Sequence, residues 1–264
     1  MSGPLIVAGF HRSGTSAVAR LFHQAGAHMG DDLVGERLSN PLGHYEDVTM
    51  VRLHDTLLAD NGRTWQVDEE MLPAVSADRW EEMRALAGAR ERDHPLWGFK
   101  DPRVCLFLQV WKHLLPDARV VVVFRHYAEA VGSLHRREAR LALSGAEPVA
   151  LHRRFWEVPA LALRMWLVHN RALLGFAGAH GRDVLAVSFD ALRAGMPLVA
   201  AAEARWGMGL RPMPTFEAVQ PGYPLPEHPP LRPASAALLE EADEVLAVLE
   251  DLAVETTGEG GGGG

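Results

Sequence analysis

Four short apolar runs punctuate the chain, at residues 5–10, 96–99, 119–124 and 184–189, and none alternates between apolar and polar positions. Strands buried on both faces read this way, so the runs predict a parallel sheet, with 120–123 the clearest stretch. Between them the period lengthens to that of helices, as the crossovers of a parallel sheet require. Val18, Leu21, Phe22 and Ala25 line one face of a first helix that stops near Gly26, and Val51, His54, Leu57 and Leu58 mark a second after Thr49. Asp78 with Glu81 predicts a capping box for a third. Phe107, Val110, Trp111 and Leu114 give a fourth, ended by Pro116, and residues 128–137 follow the strongest strand as a fifth. A longer helix is expected from about 158 through 179, with Pro159 in its first turn.

Eight of the 17 prolines fall within residues 210–233, which predicts an extended lid or rim rather than a sheet element. A final amphipathic helix is expected over 234–252, and the tail 258–264, six glycines in seven residues, is expected to be disordered. The pattern is that of an α/β fold, a mainly parallel sheet with helices on its faces, and residues 1–257 are read as one domain.

Composition narrows the function. The chain has 264 residues, 48% hydrophobic and 23% charged, enough to bury a core without staples. With 26 basic against 34 acidic residues the net charge is −8, which disfavours a nucleic-acid partner. Cys105 is the single cysteine, so an intrachain disulfide framework and a cysteine-based zinc site are excluded, in keeping with a reducing compartment. No apolar run approaches the roughly 18 residues of a membrane span, and residues 1–10 lack a basic segment ahead of their apolar stretch, so a soluble, cytoplasmic protein is expected. The thirteen histidines show no HExxH spacing, and His23 and His28 stand five apart, off a common helix face; no metal is expected. Lysine occurs twice, at 100 and 112, against 24 arginines, so each lysine is worth placing.

The first run leads into residues 9–16, G-F-H-R-S-G-T-S, and then a helix. Strand, glycine-bearing turn and helix amino terminus make an anion cradle of backbone N–H groups. Against the Walker A pattern Gly9, Gly14 and Ser16 fit, but Thr15 stands in the lysine position and the cation has moved to Arg12. The bland alternative is a tight turn with small capping residues and no ligand. After residue 124 a second candidate anion site follows: Arg125 at a strand's carboxyl end, with Ser133 and Arg137 eight and twelve residues on, i and i+4 on one helix face. Its alternative is a solvated basic helix face.

Residues 12–16, R-S-G-T-S, resemble the 5′-phosphosulfate loop [RK]-S-G-T-[ST] of sulfotransferases that use 3′-phosphoadenosine 5′-phosphosulfate (PAPS). The spacing of Arg125, Ser133 and Arg137 is similar to that family's 3′-phosphate site, with the tyrosylprotein branch adding the arginine at twelve. Residues 187–192, V-S-F-D-A-L, look like its later strand end V-x-[YF]-[ED]-x-L, so the resemblance spans about 5–207. It is nearest the bacterial carbohydrate and natural-product sulfotransferases. One departure is Tyr127, where the family usually has proline.

The resemblance implies a P-loop-type three-layer fold. It also implies metal-independent transfer of a sulfuryl group from PAPS to a hydroxyl or amine of a small-molecule, carbohydrate or lipid acceptor, releasing 3′-phosphoadenosine 5′-phosphate (PAP). His11, Arg12, Ser13, Gly14, Thr15, Ser16, Arg125, Ser133 and Arg137 would hold the nucleotide. Lys100, in the sequence G-F-K-D-P-R, would stabilise the transition state beside Arg12, as in the Lys-Asp-Pro motif of the tyrosylprotein branch. Glu46 is the chosen general base, with His44 and Asp101 as alternatives. Lys112 is expected to be solvated, and Trp166 and Asn170 to be core packing and a helix-surface amide. Two rivals stay open: a nucleoside-phosphate kinase with a degenerate phosphate loop, and a nucleotide-binding module without turnover. The acceptor and the oligomeric state are not encoded legibly.

Overall fold

The computed structural model describes residues 3–35, 43–214 and 235–257. Its centre is a parallel sheet of β1 (Leu5–Ala8), β2 (Gly98–Lys100), β3 (Arg119–Phe124) and β4 (Val184–Ser188), in the order β2-β1-β3-β4. The four apolar runs are these strands, β2 lying two residues later than its hydrophobic pattern suggests. Leu5 pairs with both Gly98 and Arg119, and Val7 with Lys100 and Val121.

Burial on both faces explains the unbroken runs. Ile6, Ala8, Val120, Val122, Val184 and Ala186 face one core, while Leu5, Val7, Val121, Val123, Leu185 and Val187 face the other. On the first face pack α2 (Val48–Asp60), α3 (Ala77–Asp93), α4 (Leu108–Leu114) and the second half of α7 (Leu161–His180). On the second lie α1 (Thr15–Gln24), α8 (Phe189–Arg193) and α9 (Leu198–Trp206). The architecture is therefore a three-layer α/β fold. A third core gathers Phe10 and Phe124, past the strand ends, with α5 (Tyr127–Leu143), α6 (Val149–Glu157), the first half of α7 and α10 (Ala236–Thr257). Thr256 of α10 also takes the Ala186 amide through its hydroxyl, at 2.9 Å, covering the β4 edge.

Several local expectations are corrected. The cap of α3 is Ser76, which accepts from the Arg79 amide, because Asp78 already lies inside the first turn. The second helix starts at Val48, capped by Asp47 through the Thr49 amide at 2.8 Å. The long helix starts at Leu161, after a separate α6 and a left-handed Ala160, so Pro159 precedes it. The last helix runs to Thr257. Lys112 is not solvated: it is buried, with Nζ donating to Pro116 O (2.6 Å), Ala118 O (3.1 Å) and Asp183 (2.7 Å). Asn170 is no surface amide but fully buried, its amide nitrogen donating to Trp166 O at 2.7 Å. The proline-rich expectation over 215–233 and the glycine tail lie outside the described residues. No helix among the described residues is long and apolar enough to cross a membrane.

Candidate active site

The strand order creates the site. β1 connects towards β2 on one side, whereas β3 continues towards β4 on the other, so the chain reverses direction between the adjacent strands β1 and β3. In open α/β sheets ligands bind outside the carboxyl ends of strands at such a point. Residues 9–14 follow β1, Arg125 follows β3, and Lys100 ends β2: three sequence-predicted groups share one edge of the sheet.

The turn after β1 depends on two glycines. A Cβ at Gly9 would stand 2.2 Å from Val123 O, so the chain can pass this close to β3 only without one. Gly14 caps α1 at φ 95°, a left-handed conformation, and a Cβ there would strike the Phe189 ring at 2.4 Å. Among the described residues no side chain caps the first turn of α1, which keeps its amides free of an internal cap. Ser13 and Thr15 are buried and Ser16 half-buried. Ser13 Oγ has no hydrogen-bond partner among the described residues, and neither has His11 Nε2. His11 packs edge-on to Trp65, with ring centroids 5.1 Å apart. Burial, then Arg137 and His169, hold its imidazole well below the usual histidine range.

Arg12 takes φ 69°, an uncommon conformation for a non-glycine residue, and its Nε donates to Ser133 Oγ at 3.0 Å. Arg125, 8% exposed, reaches back so that Nη1 donates to Arg12 O at 3.4 Å, while Nε donates to Glu129 at 2.6 Å. Its guanidinium lies 4.5 Å over the Phe189 ring. Phe189 thus touches both the first turn and the second arginine, a role the sequence did not suggest. Arg137 rests 5.3 Å over Trp65 and donates to Glu138 at 2.5 Å. Burial, followed by the like charges of Arg137, Arg125, Arg136 and Arg140, brings the Arg12 guanidinium down to about 10. Such crowding of cations is relieved by an anion.

Tyr127 is the position at which the sequence departs from the resembled motif. It is the first residue of α5, and its hydroxyl donates to Asp243 of α10 at 2.6 Å. Burial and the Asp243 carboxylate push the phenol up to about 12. The helix start survives because His126 caps it through the Ala128 amide.

On the β2 side Lys100, 1% exposed, donates to Glu46 Oε1 at 2.6 Å. Glu46 follows Tyr45, whose φ of 51° turns the chain just before the carboxylate. Its neighbour Asp47 serves the helix cap and the Arg90 guanidinium instead. Behind Lys100 lies a buried chain of donors. Trp111 Nε1 donates to His54 Nε2 at 2.9 Å, which leaves Nδ1 as the protonated nitrogen, and this donates to Asp101 Oδ2 at 3.0 Å. Asp101 Oδ1 accepts from the Arg103 amide (2.9 Å) and guanidinium (2.8 Å). Burial alone would push Asp101 up, but Arg103 and His54 outweigh it and hold the carboxyl well below the usual range. An acid this fully bonded is a poor base, so the geometry favours Glu46 over Asp101. His44, half-buried, is brought down to about 4 chiefly by burial, against the raising effect of Glu46.

The model of the Sulfotransferase family matches residues 4–196, which contain all of these groups but Asp243. The chain belongs to the sulfotransferase family. Among solved structures this sulfotransferase is similar to STF9 of Mycobacterium avium, with a TM-score of 0.51 and 16% identity over 93% of this chain and 68% of that one. It is also similar to a sulfotransferase of Alicyclobacillus acidocaldarius, with a TM-score of 0.50 and 15% identity over 94% of both chains. At such identities the likeness is one of fold. No curated protein matches the chain.

Proposed function

We propose that this sulfotransferase moves a sulfuryl group from PAPS to a hydroxyl, or less readily an amine, of a small-molecule, carbohydrate or lipid acceptor, and that residues 1–257 act as one unit in doing so. The observation that carries the reading is the meeting of two arginine-bearing strand ends: the Arg125 guanidinium reaches the Arg12 carbonyl at 3.4 Å, and the Arg12 side chain is seated on Ser133. One nucleotide with a phosphate at each end suits a cleft cationic on both sides.

The residues present fit that donor. Ser13 Oγ, buried without a partner among the described residues, and the uncapped amides of α1 are donors awaiting an oxyanion. His11, Arg12, Ser13, Gly14, Thr15 and Ser16 would hold the 5′-phosphosulfate end. Arg125, Ser133 and Arg137 would hold the 3′-phosphate. PAPS, when bound, supplies an activated sulfuryl group and leaves as PAP. Glu46 takes the proton of the acceptor hydroxyl, and Lys100, held against it, offsets the charge that grows on the sulfuryl oxygens. Arg12 does the same for the departing phosphate. The buried bonds from Trp111 through His54 and Asp101 keep the segment after Lys100 fixed, so that the ammonium is preorganised. Thr15 in place of the Walker lysine disfavours the kinase alternative, because it removes the main γ-phosphate cation.

Calorimetry on chelator-treated protein with PAP, ATP and ATP–Mg²⁺ tests this reading. PAP is expected to bind without metal and more tightly than ATP. Binding that requires Mg²⁺ would favour the kinase, and PAP binding without sulfated product across sugar, phenol, lipid and peptide acceptors would favour a module without turnover. Arg125→Ala should raise the donor KM, and wild type should discriminate strongly against a donor lacking the 3′-phosphate.

A further inference from the structure

Two neighbours in the segment after α1, His28 and Asp31, meet His94 from the far end of α3. His28 follows α1, and its backbone is fixed by bonds to both sides of Trp97: its amide donates to Leu96 O at 2.9 Å, and its carbonyl accepts from the Gly98 amide at 2.8 Å. His94 is the residue that ends α3, tied by its amide to Arg90 O at 2.9 Å. Their rings stack with centroids 3.5 Å apart and planes 9° from parallel. Both Nε2 atoms reach the same oxygen, Asp31 Oδ1, at 2.7 Å from His28 and 3.3 Å from His94. Among the described residues this is the trio whose metal-capable atoms all lie within 4.8 Å of one another.

Two imidazole nitrogens and one carboxylate oxygen gathered within 4.8 Å of one another are the ligand set of a borderline divalent ion rather than of Ca²⁺ or Mg²⁺, which prefer oxygen, and the stacked rings would swing apart to turn both Nε2 lone pairs onto it. The second oxygen of Asp31 is held by the Arg90 guanidinium, which also donates to Asp47 at 2.5 Å. An outer partner of this kind orients a metal-binding carboxylate. Arg90, Asp31 and Asp47 together carry a net charge of −1, so a divalent ion is not opposed by its surroundings. Asp31 is 60% exposed, which leaves an entry path and room for a water ligand.

We propose that His28, Asp31 and His94 form a binding site for a divalent transition ion such as Zn²⁺, which clamps the segment after α1 to the end of α3. Ligand atoms about 2.0–2.2 Å from a tetrahedral ion stand about 3.3–3.6 Å from one another, so the His94–Asp31 pair at 3.3 Å already fits and the His28–Asp31 pair at 2.7 Å has to open by less than about 1 Å. The clamp bears on the active site through the backbone: the Asp31 amide donates to Asp47 at 3.1 Å, and the Val34 amide to Glu46 O at 2.7 Å. The ion has no part in the transfer itself.

The test is a titration of chelator-treated, folded protein with Co²⁺, followed by the visible ligand-field absorption, and then by competition with Zn²⁺. One equivalent should bind saturably, and Zn²⁺ should displace it and raise Tm, reversibly on adding chelator. His94→Gln and Asp31→Asn should each weaken Co²⁺ binding by at least about 100-fold, the upper end of what losing an outer-shell partner costs. His113→Ala, at a histidine away from the trio, should leave it unchanged. No saturable binding by wild type overturns the proposal without recourse to any variant, as does binding that survives both ligand substitutions. PAP binding measured on the chelated protein is independent of this result, so the two readings fail separately.

Discussion

The two ends of the sheet each bury a lysine, and they use it differently. At the amino ends of β3 and β4, all three N–H groups of Lys112 have acceptors: two carbonyls and Asp183, which also pairs with Arg119. At the carboxyl end of β2, Lys100 meets Glu46 as its one hydrogen-bond partner among the described residues. The contrast extends beyond the lysines. Ser13 Oγ, His11 Nε2 and His169 Nε2, buried and unpartnered among the described residues, lie on or against the turn after β1. His169 lies 6.0 Å from His11 ring to ring. Buried polar groups are ordinarily satisfied. One end of the sheet is closed by its bonds and the other is held open for something to bind, and a functional reading belongs to the second.

The sharpest way to break this comparison is to exchange the effects of the two lysines. Lys100→Ala should lower kcat by about 10²–10³-fold, the usual cost of deleting a preorganised transition-state donor, with PAP affinity largely kept. Glu46→Gln should cost on the order of 10²–10⁴-fold, and near-normal turnover would move the base to His44. Lys112→Met should instead cost about 3 kcal/mol of stability, because it leaves two carbonyls and part of Asp183 unpaired, while kcat per folded molecule stays the same. Urea unfolding at constant m, alongside steady-state kinetics, separates the outcomes. Should the substitution at 112 abolish turnover in a protein of normal stability, the division between the two ends is wrong.

The sheet and the arginine-bearing turns were legible because each is local: an unbroken apolar run, then a glycine or an arginine at a fixed distance. Lys112 was misread for the same reason. Nothing near it shows that the start of β4, 71 residues away, brings Asp183 to its side. Phe189 could be read as a motif letter but not as the ring that meets both Gly14 and Arg125, because that contact joins three strand ends. Asn170 and His169 sit on a helix whose buried face surrounds nearly its whole circumference, so no polar stripe set them apart. His28 and His94 meet only through the bridge of His28 to Trp97, which local periodicity does not reveal.

His169 offers a subtler probe. It is fully buried, its Nδ1 donates to Met165 O at 2.8 Å, and burial brings it down to about 4. A histidine lowered in the folded state binds its proton more readily when unfolded. Stability therefore falls as pH drops from about 6.5 towards 4, at up to about 1.4 kcal/mol per unit. Between pH 7 and pH 5 this one group should remove about 2 kcal/mol. In His169→Gln that part of the slope should vanish, and the difference between wild-type and variant unfolding free energies at the two pH values measures it. Equal slopes would mean that water already reaches the ring.

The smallest effect expected is at Ser133, and it separates a working hydroxyl from a merely adjacent one. Arg12 is crowded by other guanidiniums and takes its direction in part from Ser133, which accepts from Nε. A hydrogen bond to a charged group contributes about 1.5–3 kcal/mol when buried, less where solvent can substitute. Ser133→Ala should thus weaken PAP by about tenfold, or about 1.4 kcal/mol, and should weaken a nucleotide lacking the 3′-phosphate by less. The two ligands distinguish the ways the serine can act. If both lose affinity equally, Ser133 serves only to aim Arg12 at the 5′ end; if the 3′-phosphate accounts for the loss, the hydroxyl turns from Arg12 to the ligand on binding, and the two arginine sites share it. Unchanged affinity for both would remove Ser133 from the cleft and leave Arg12 held by the turn alone.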